Sequence, residues 1–186
     1  MKRIRIHIGG IYAGRGPAVV QTLLGSCVAV CLFDPAGKIG GMNHILLPGE
    51  PHWDGRTFDD SARFGINAME LLINRLLNLG AVRKNLQAKV FGGAHILRSI
   101  DMDSSPGKSN VEFVFNFLEF ERFPVLSHDT GGHNARKIFF RTDTGEVRLK
   151  RIPEILFSGV KKEERKYRER IEEEIEQENK ITFFRN

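Results

Sequence analysis

Hydrophobic and polar positions alternate along several short segments of the chain, a pattern typical of β-strands with one buried face. Segments rich in glycine, proline and aspartate separate them, most clearly residues 9–17, which we interpret as a turn-rich loop. The alternation predicts strands at residues 2–8, 18–24, 27–33, 39–47, 86–91, 125–127, 137–141 and 146–152.

Two other segments carry apolar residues at the 3.6-residue spacing of an α-helix. The first predicted helix covers residues 61–79 and has Asp59-Asp60-Ser61 as its cap, and the second covers residues 110–123. Strands and helices are therefore mixed, with β-hairpins at both ends of the core. This order favours an α/β fold of the α+β type with largely antiparallel pairing.

The composition changes near the C-terminus, where 15 of the 20 residues from 161 to 180 are charged. Only Tyr167, Ile171 and Ile175 recur there at helical spacing, which is too narrow a stripe to bury much surface. We expect a solvated helix, with a partner-binding or self-pairing helix as the alternative. The sequence thus predicts a domain at residues 1–152 and a charged C-terminal helical extension at residues 153–186.

Composition and charge limit the classes of function. The chain has 186 residues, of which 41% are hydrophobic, and a formal net charge of +5 that is spread evenly rather than gathered into a nucleic-acid patch. No stretch reaches the roughly 18 apolar residues of a membrane span. The two cysteines, Cys27 and Cys31, lie too far apart on one strand to form a disulfide. We therefore expect the protein to work in a reducing cytoplasm.

Cys27 is the strongest candidate for chemistry because it follows Gly25-Ser26 where a loop enters a strand. A cysteine thiolate is a nucleophile, and a neighbouring imidazole lowers the thiol pKa and carries the proton. At such a junction the backbone N–H groups of Ser26 and Cys27 are candidate oxyanion donors. We interpret Cys31 as a core residue.

The first hairpin supplies the imidazole. A two-residue turn pairs Asp34 with Gly37 and places Cys27 directly opposite His44, where facing Cβ atoms lie about 4.5 to 5.5 Å apart. A turn one residue longer puts the two side chains on opposite faces of the sheet, unless a bulge at residues 40–41 restores the register. The sequence leaves both alternatives open.

Five motifs resemble, in this order along the chain, the chemoreceptor glutamine deamidases, the CheD family of bacterial and archaeal chemotaxis. The resemblance covers about residues 1 to 152 and excludes the charged segment after Pro153. The motifs are Thr22–Pro35, Gly40–Pro48, Ala68–Asn74, Lys89–Ala94 and Asp129–Gly132.

The resemblance implies site residues and an activity. The cysteine and histidine of the family map onto Cys27 and His44. The family threonine, six positions before the cysteine, falls on Gln21, with Thr22 one residue later; Thr22 fills that role if the strand is locally shifted, and otherwise the dyad acts alone. The implied activity is hydrolysis of chemoreceptor glutamine side chains to glutamate, releasing ammonia, with no metal and no organic cofactor.

The resemblance also implies two packed β-sheets with flanking helices, and binding to the regulatory chemotaxis phosphatase CheC. Two other functions stay open. One is a non-catalytic adaptor that binds and stimulates a CheC-like phosphatase, which Gln21 in place of threonine keeps in consideration. The other is a different papain-like thiol hydrolase, against which the lack of an evident Asn or Asp partner for His44 counts.

Overall fold

The computed structural model describes residues 1–48, 62–96, 105–153 and 157–178. The predicted cap at Asp59-Asp60-Ser61 lies outside these ranges. Within them the secondary structure consists of β1 (Lys2–Arg5), β2 (Ile11–Arg15), β3 (Ala18–Leu24), β4 (Val28–Asp34), β5 (Ile39–Asn43), α1 (Arg63–Asn78), a 3-10 turn (Arg83–Asn85), β6 (Gln87–Gly92), α2 (Pro106–Phe120), β7 (Val125–Thr130), β8 (Arg136–Arg141), β9 (Val147–Arg151) and α3 (Phe157–Glu178).

The strands form two sheets. One has four strands in the order β1-β3-β8-β9, and the other has five in the order β2-β5-β4-β6-β7. The pairs β1–β3 and β6–β7 are parallel and all other described pairs are antiparallel. This arrangement confirms the predicted α+β fold of two largely antiparallel sheets with helices.

Strand β4 is buried on both faces and separates two hydrophobic cores. Side chains alternate between the two cores along this segment, which starts one residue before the strand. The four-stranded sheet is faced by Cys27, Ala29 and Cys31, and the helices are faced by Val28, Val30 and Leu32. The core between the sheets is formed by Ile6, Val20, Leu24, Cys27, Ala29, Cys31, Met42, Leu46, Phe91, Ile138 and Phe140. The core under α1 and α2 includes Val28, Val30, Leu32, Met69, Leu72, Leu76, Phe113 and Phe117.

Strand β2 lies in the segment interpreted from sequence as a turn-rich loop, so that interpretation is wrong for residues 11–15. The strand pairs antiparallel with β5 at the edge of the five-stranded sheet, with Gly14 opposite Gly40 and Ala13 opposite Gly41. Small residues on both strands hide the alternation of apolar side chains by which a strand is recognised. Pairing with β5, rather than local pattern, creates this strand.

Helix α2 begins at Pro106, four residues before the start expected from sequence. Ser105 caps it, because its Oγ accepts a hydrogen bond from the Lys108 backbone N–H at 3.3 Å. Proline suits the first helical position, where the missing N–H would have no partner in the helix. The Pro-Gly pair that resembles a loop in sequence is therefore the first turn of the helix.

Helix α3 forms where the charged segment predicted a helix, and its 22 residues make it the longest of the described helices. Its sequence is dominated by charged side chains. Within the described ranges, no helix is both long enough and apolar enough to cross a membrane.

The close approach of β5 to the four-stranded sheet at Gly40 leads to a first prediction. A Cβ atom on Gly40 would lie 2.6 Å from the Thr142 carbonyl oxygen and 3.0 Å from the Phe140 ring, and the backbone oxygen cannot rotate away. We expect Gly40→Ala to lower the free energy of unfolding by about 1 to 3 kcal/mol, the usual range for overpacking. Chemical denaturation of the variant and the wild type measures this difference in the free energy of unfolding.

The matched control is Gly159→Ala in α3, where a Cβ atom meets no atom within 4 Å. Alanine is favoured over glycine inside a helix, so this variant should be neutral or slightly more stable. Equal destabilisation by both substitutions would contradict the steric explanation.

Candidate active site

The hairpin that carries Cys27 and His44 has a longer turn than predicted. Asp34 pairs with Ile39 rather than Gly37, so four residues form the turn, and the predicted direct pairing of Cys27 with His44 is wrong. The Asp34 carboxylate stabilises this turn by accepting hydrogen bonds from the Ala36 and Gly37 N–H groups at 3.0 and 3.1 Å. A side chain capping its own turn is a local interaction that the choice between a two-residue turn and one a residue longer did not include.

The longer turn nevertheless keeps the two side chains on one face. The β4–β5 register continues to an isolated bridge between Val28 and Ile45, which places His44 opposite Ala29. The register differs from the predicted one by two residues, and a shift of two preserves the face on which a side chain lies. His44 is therefore a diagonal neighbour of Cys27, and both lie between the two sheets.

Thr22 of β3 reaches His44 from the opposite sheet. Its Oγ1 lies 2.7 Å from His44 Nδ1 and donates its hydrogen to the Ile6 carbonyl oxygen at 2.9 Å. Thr22 and His44 are both buried, whereas Gln21 lies on the other face of β3 and is partly exposed. Of the two residues that the sequence left open for the threonine position, Thr22 is therefore the one that approaches His44.

These contacts determine which nitrogen of the imidazole is basic. The Thr22 hydroxyl has one hydrogen and gives it to Ile6, so its lone pair must accept from His44 Nδ1–H. In the neutral ring this leaves Nε2 without a hydrogen. Among the described residues Nε2 is buried and has no hydrogen-bond partner. His44 thus presents a free basic nitrogen between the sheets, on the face that carries Cys27.

The loop before Cys27 holds a carboxylate that belongs to the same chain. Glu164 of α3 accepts three hydrogen bonds there: from the Ser26 N–H to Oε1 at 2.8 Å, from Ser26 Oγ to Oε2 at 2.6 Å, and from Cys27 Sγ to Oε1 at 3.4 Å. The Ser26 amide, predicted as an oxyanion donor, therefore already binds a negatively charged oxygen. The thiol hydrogen of Cys27 is directed to Glu164 and not to His44.

The expectation of a fully solvated C-terminal helix is therefore wrong. One face of α3 is buried at Val160, Glu164 and Ile171, and Tyr167 packs against the core between the sheets. Sequence reasoning missed Glu164 because it is one of many glutamates in a charged run. Its spacing of four from Val160 and seven from Ile171 was the available signal.

Two features away from the reacting groups position the Ser26-Cys27 segment. The Cys27 carbonyl accepts a hydrogen bond from Gly93 N–H at 2.7 Å, and a Cβ atom on Gly92 would lie 2.1 Å from the same oxygen, so only glycine fits there. Asn110 of α2 donates from Nδ2 to the Ser26 carbonyl at 2.9 Å. These residues support the segment from β6 and α2.

Burial keeps both reacting groups uncharged in this conformation. Desolvation raises the pKa of the Cys27 thiol well above its usual value, and the Glu164 carboxylate raises it further. Desolvation also lowers the pKa of His44 to about 3, with the charge of His7 adding to the effect. The pair is therefore a thiol and a neutral imidazole.

A cysteine thiol, an imidazole with a free nitrogen and a backbone amide that binds a carboxylate oxygen are the groups that a thiol-dependent hydrolase uses. Comparison with known proteins identifies the family. The chain belongs to the CheD family, described as CheD chemotactic sensory transduction, whose model matches residues 46–151. That match starts just after His44.

Curated relatives align over a longer part of the chain. The probable chemoreceptor glutamine deamidase CheD 1 of Shewanella oneidensis is 45% identical over 168 residues, covering 90% of this chain and 81% of the relative. The probable chemoreceptor glutamine deamidase CheD of Vibrio vulnificus is 38% identical over 97% of this chain and 86% of its own. The one of Stenotrophomonas maltophilia is 50% identical over 72% of this chain and 65% of its own.

The low pKa of His44 gives a prediction about stability. The pKa of His44 in the folded protein, about 3, lies below its unfolded value near 6.5, so the unfolded chain binds a proton first as pH falls. The contribution of neutral His44 to the free energy of unfolding is fully present above about pH 6.5. As the pH falls from there toward 3, this contribution decreases by about 1.4 kcal/mol for each pH unit. Unfolding at several pH values should show this loss in the wild type and not in His44→Gln.

The control for this titration is His133→Gln, because His133 is exposed. Its unfolding free energy should follow that of the wild type at every pH. Parallel curves for the wild type and His44→Gln between pH 7 and 4 would show that His44 takes up its proton as easily in the folded protein as in the unfolded chain.

Proposed function

We propose that this protein is a cysteine-dependent amidohydrolase that converts glutamine side chains of chemoreceptors to glutamate. Membership in the CheD family and the names of the curated relatives support the activity and the substrate class. Cys27 is the nucleophile, His44 the acid and base, and Thr22 the residue that positions His44. The N–H groups of Ser26 and Cys27 are the oxyanion donors.

The proposed reaction has two stages. His44 Nε2 takes the proton from Cys27 Sγ, and the thiolate attacks the amide carbon of the substrate to form a C–S bond. The negatively charged oxygen that develops is stabilised by the Ser26 and Cys27 N–H groups. The C–N bond then breaks, and His44 gives its proton to the departing ammonia. A water activated by His44 cleaves the thioester and leaves glutamate.

The observation that carries this proposal is the hydrogen bond between Thr22 Oγ1 and His44 Nδ1. It fixes the tautomer in which Nε2 is basic, and Nε2 is the nitrogen that lies between the sheets with no partner among the described residues. A structural histidine in a core usually satisfies both nitrogens. An orphaned buried nitrogen on the face of a cysteine supports a role in proton transfer.

The proposal also includes the cellular compartment and a binding partner of the enzyme. Two free cysteines are consistent with a reducing cytoplasm, where the cytoplasmic domains of chemoreceptors are the substrates. We further propose a CheC-like chemotaxis phosphatase as a binding partner, a role that the family resemblance implies. We propose that the domain of residues 1–152 carries the catalytic groups and that α3 belongs to a separate extension after it.

The direct test incubates the protein with cytoplasmic fragments of chemoreceptors and maps glutamines whose mass rises by about one dalton, the exchange of NH2 for OH. Cys27→Ala should reduce the rate by about a thousandfold or more, because no other group supplies the nucleophile. The matched control is Cys31→Ala. Cys31 is equally buried but lies further along the hairpin, within β4, and its loss should leave the rate close to that of the wild type.

Two results would contradict the proposal. Full activity of Cys27→Ala would exclude the thioester route. The absence of any deamidation by the wild type, together with binding and stimulation of a CheC-like phosphatase, would favour the non-catalytic adaptor.

Thr22 gives a separate prediction. Valine has nearly the shape of threonine but accepts no hydrogen bond, so Thr22→Val should let His44 rotate and should lower kcat by about 10-fold to 100-fold with little change in KM. Thr22→Ser keeps the oxygen and should restore most of kcat. Steady-state kinetics on a receptor fragment separate the two constants. Retention of kcat in the valine variant, with a loss in the serine variant, would mean that Thr22 acts through packing alone.

A further inference from the structure

Helix α3 rests on the candidate active site through a narrow stripe of residues. Val160, Glu164, Tyr167 and Ile171 recur at intervals of three and four, so they share one face of the helix. All but Tyr167 are almost fully buried, and Tyr167 packs on the core between the sheets. The charged residues on the other faces explain why docking of this helix was not expected from the sequence.

Two glycines allow the helix to approach closely. A Cβ atom on Gly25 would lie 2.6 Å from Glu164 Oε1 and 2.7 Å from Val160 Cγ1, and one on Gly9 would lie 3.1 Å from the Tyr167 hydroxyl. The absence of side chains at these positions creates the groove that receives α3. At the rim of this contact, His7 Nδ1 and Glu163 Oε1 form an exposed pair at 3.0 Å.

The Glu164 carboxylate occupies the hydrogen-bond donors and the thiol that the proposed reaction needs. Oε1 accepts a hydrogen bond from the Ser26 N–H at 2.8 Å and lies 3.4 Å from Cys27 Sγ. Oε2 accepts a hydrogen bond from Ser26 Oγ at 2.6 Å. A buried carboxylate is tolerated only where such hydrogen bonds replace its water. Glutamate is also the product of glutamine deamidation, and it has nearly the shape of glutamine.

We infer that α3 occupies the active site of its own chain as a product-like inhibitor, with the Glu164 carboxylate where the side-chain amide of a substrate glutamine binds. This inference rests on the proposed deamidase function. The carboxylate has no C–N bond to break and resists attack by sulfur, so it blocks the site without being consumed. A receptor glutamine enters only when α3 leaves the Ser26-Cys27 segment.

The electrostatics of the site agree with a blocked state. Glu164 is the second cause, after burial, of the raised pKa of Cys27, so its departure both hydrates the thiol and removes a repelling charge. Because α3 follows β9 on the same chain, its local concentration at the site is high, and the short apolar stripe keeps the docking reversible. The apparent affinity for substrate is then the intrinsic affinity multiplied by the fraction of molecules in which the site is open.

The first experiment opens the site in the full-length protein. Glu164→Ala removes the carboxylate, and we expect both the rate of alkylation of Cys27 by iodoacetamide and kcat/KM on a receptor fragment to rise about tenfold or more. Peptide mapping should find the label on Cys27 and not on Cys31. The matched control is Glu169→Ala on an exposed face of the same helix, which should behave as the wild type.

The second experiment makes residue 164 a substrate. Glu164→Gln places a side-chain amide within reach of the Ser26 N–H and beside Cys27 Sγ. The expected reaction is the one proposed for the receptor: sulfur bonds to the amide carbon, ammonia leaves, and water cleaves the thioester to release the acid. Peptide mass spectrometry should find glutamate at position 164, about one dalton heavier than the encoded glutamine. In the double variant Glu164→Gln with Cys27→Ala, the glutamine should persist.

The outcomes separate this inference from the proposed function. Faster alkylation in Glu164→Ala, with no deamidation of receptor or of the introduced glutamine by any variant, would overturn the deamidase and retain the blocked thiol. A wild type that deamidates receptors, with Glu164→Ala unchanged in both alkylation and rate, would overturn the inhibitory role of α3. A Glu164→Gln variant that is active on receptors but keeps its own introduced glutamine would overturn the product-like position of the side chain. Thermal unfolding of each variant establishes that it is folded.

Discussion

The burial of β4 on both faces is the constraint on which the rest of the structure depends. A strand covered on one side by a second sheet and on the other by helices must be apolar at nearly every position, and here the burial is almost continuous from Val28 to Asp34. Its two rows of side chains supply one wall of each hydrophobic core. The strand is therefore held rigidly, and Cys27 at its start is held with it.

The candidate site lies at the seam between the two sheets, and it needs both. Thr22 belongs to the four-stranded sheet, while His44 follows the strand β5 of the other, and their hydrogen bond crosses the core. Because the Thr22 hydrogen is committed to Ile6, the imidazole is held in one tautomer without a carboxylate partner. A neutral hydroxyl orients the ring without stabilising its charged form, which is consistent with the low pKa of His44.

The fold was largely predictable because its signals are local. Strands with alternating side chains and helices with a 3.6-residue period show their burial in the order of their residues, and β3 was predicted with its observed bounds. The failures have local causes too. Strand β2 is built from small residues that pair with the glycines of β5, and the first turn of α2 contains the Pro-Gly pair that elsewhere marks a loop.

For the site, the residue order alone was enough to place Cys27 and His44 on the two arms of one hairpin, because the apolar runs around residues 34–38 show where the chain turns. It left open whether they share a face, since a change of one residue in the turn reverses the alternation. Contacts between distant parts of the chain supplied the remaining geometry.

Asp34, which caps the turn of the hairpin, also accepts a hydrogen bond from the Val82 N–H across 48 residues of chain. Thr22 rather than Gln21 faces the seam because alternate residues of β3 point to opposite sides. Glu164 meets Ser26 across 138 residues of chain. No local pattern distinguishes it from neighbouring glutamates, because only the docking of α3 on Gly25 gives that carboxylate its partners.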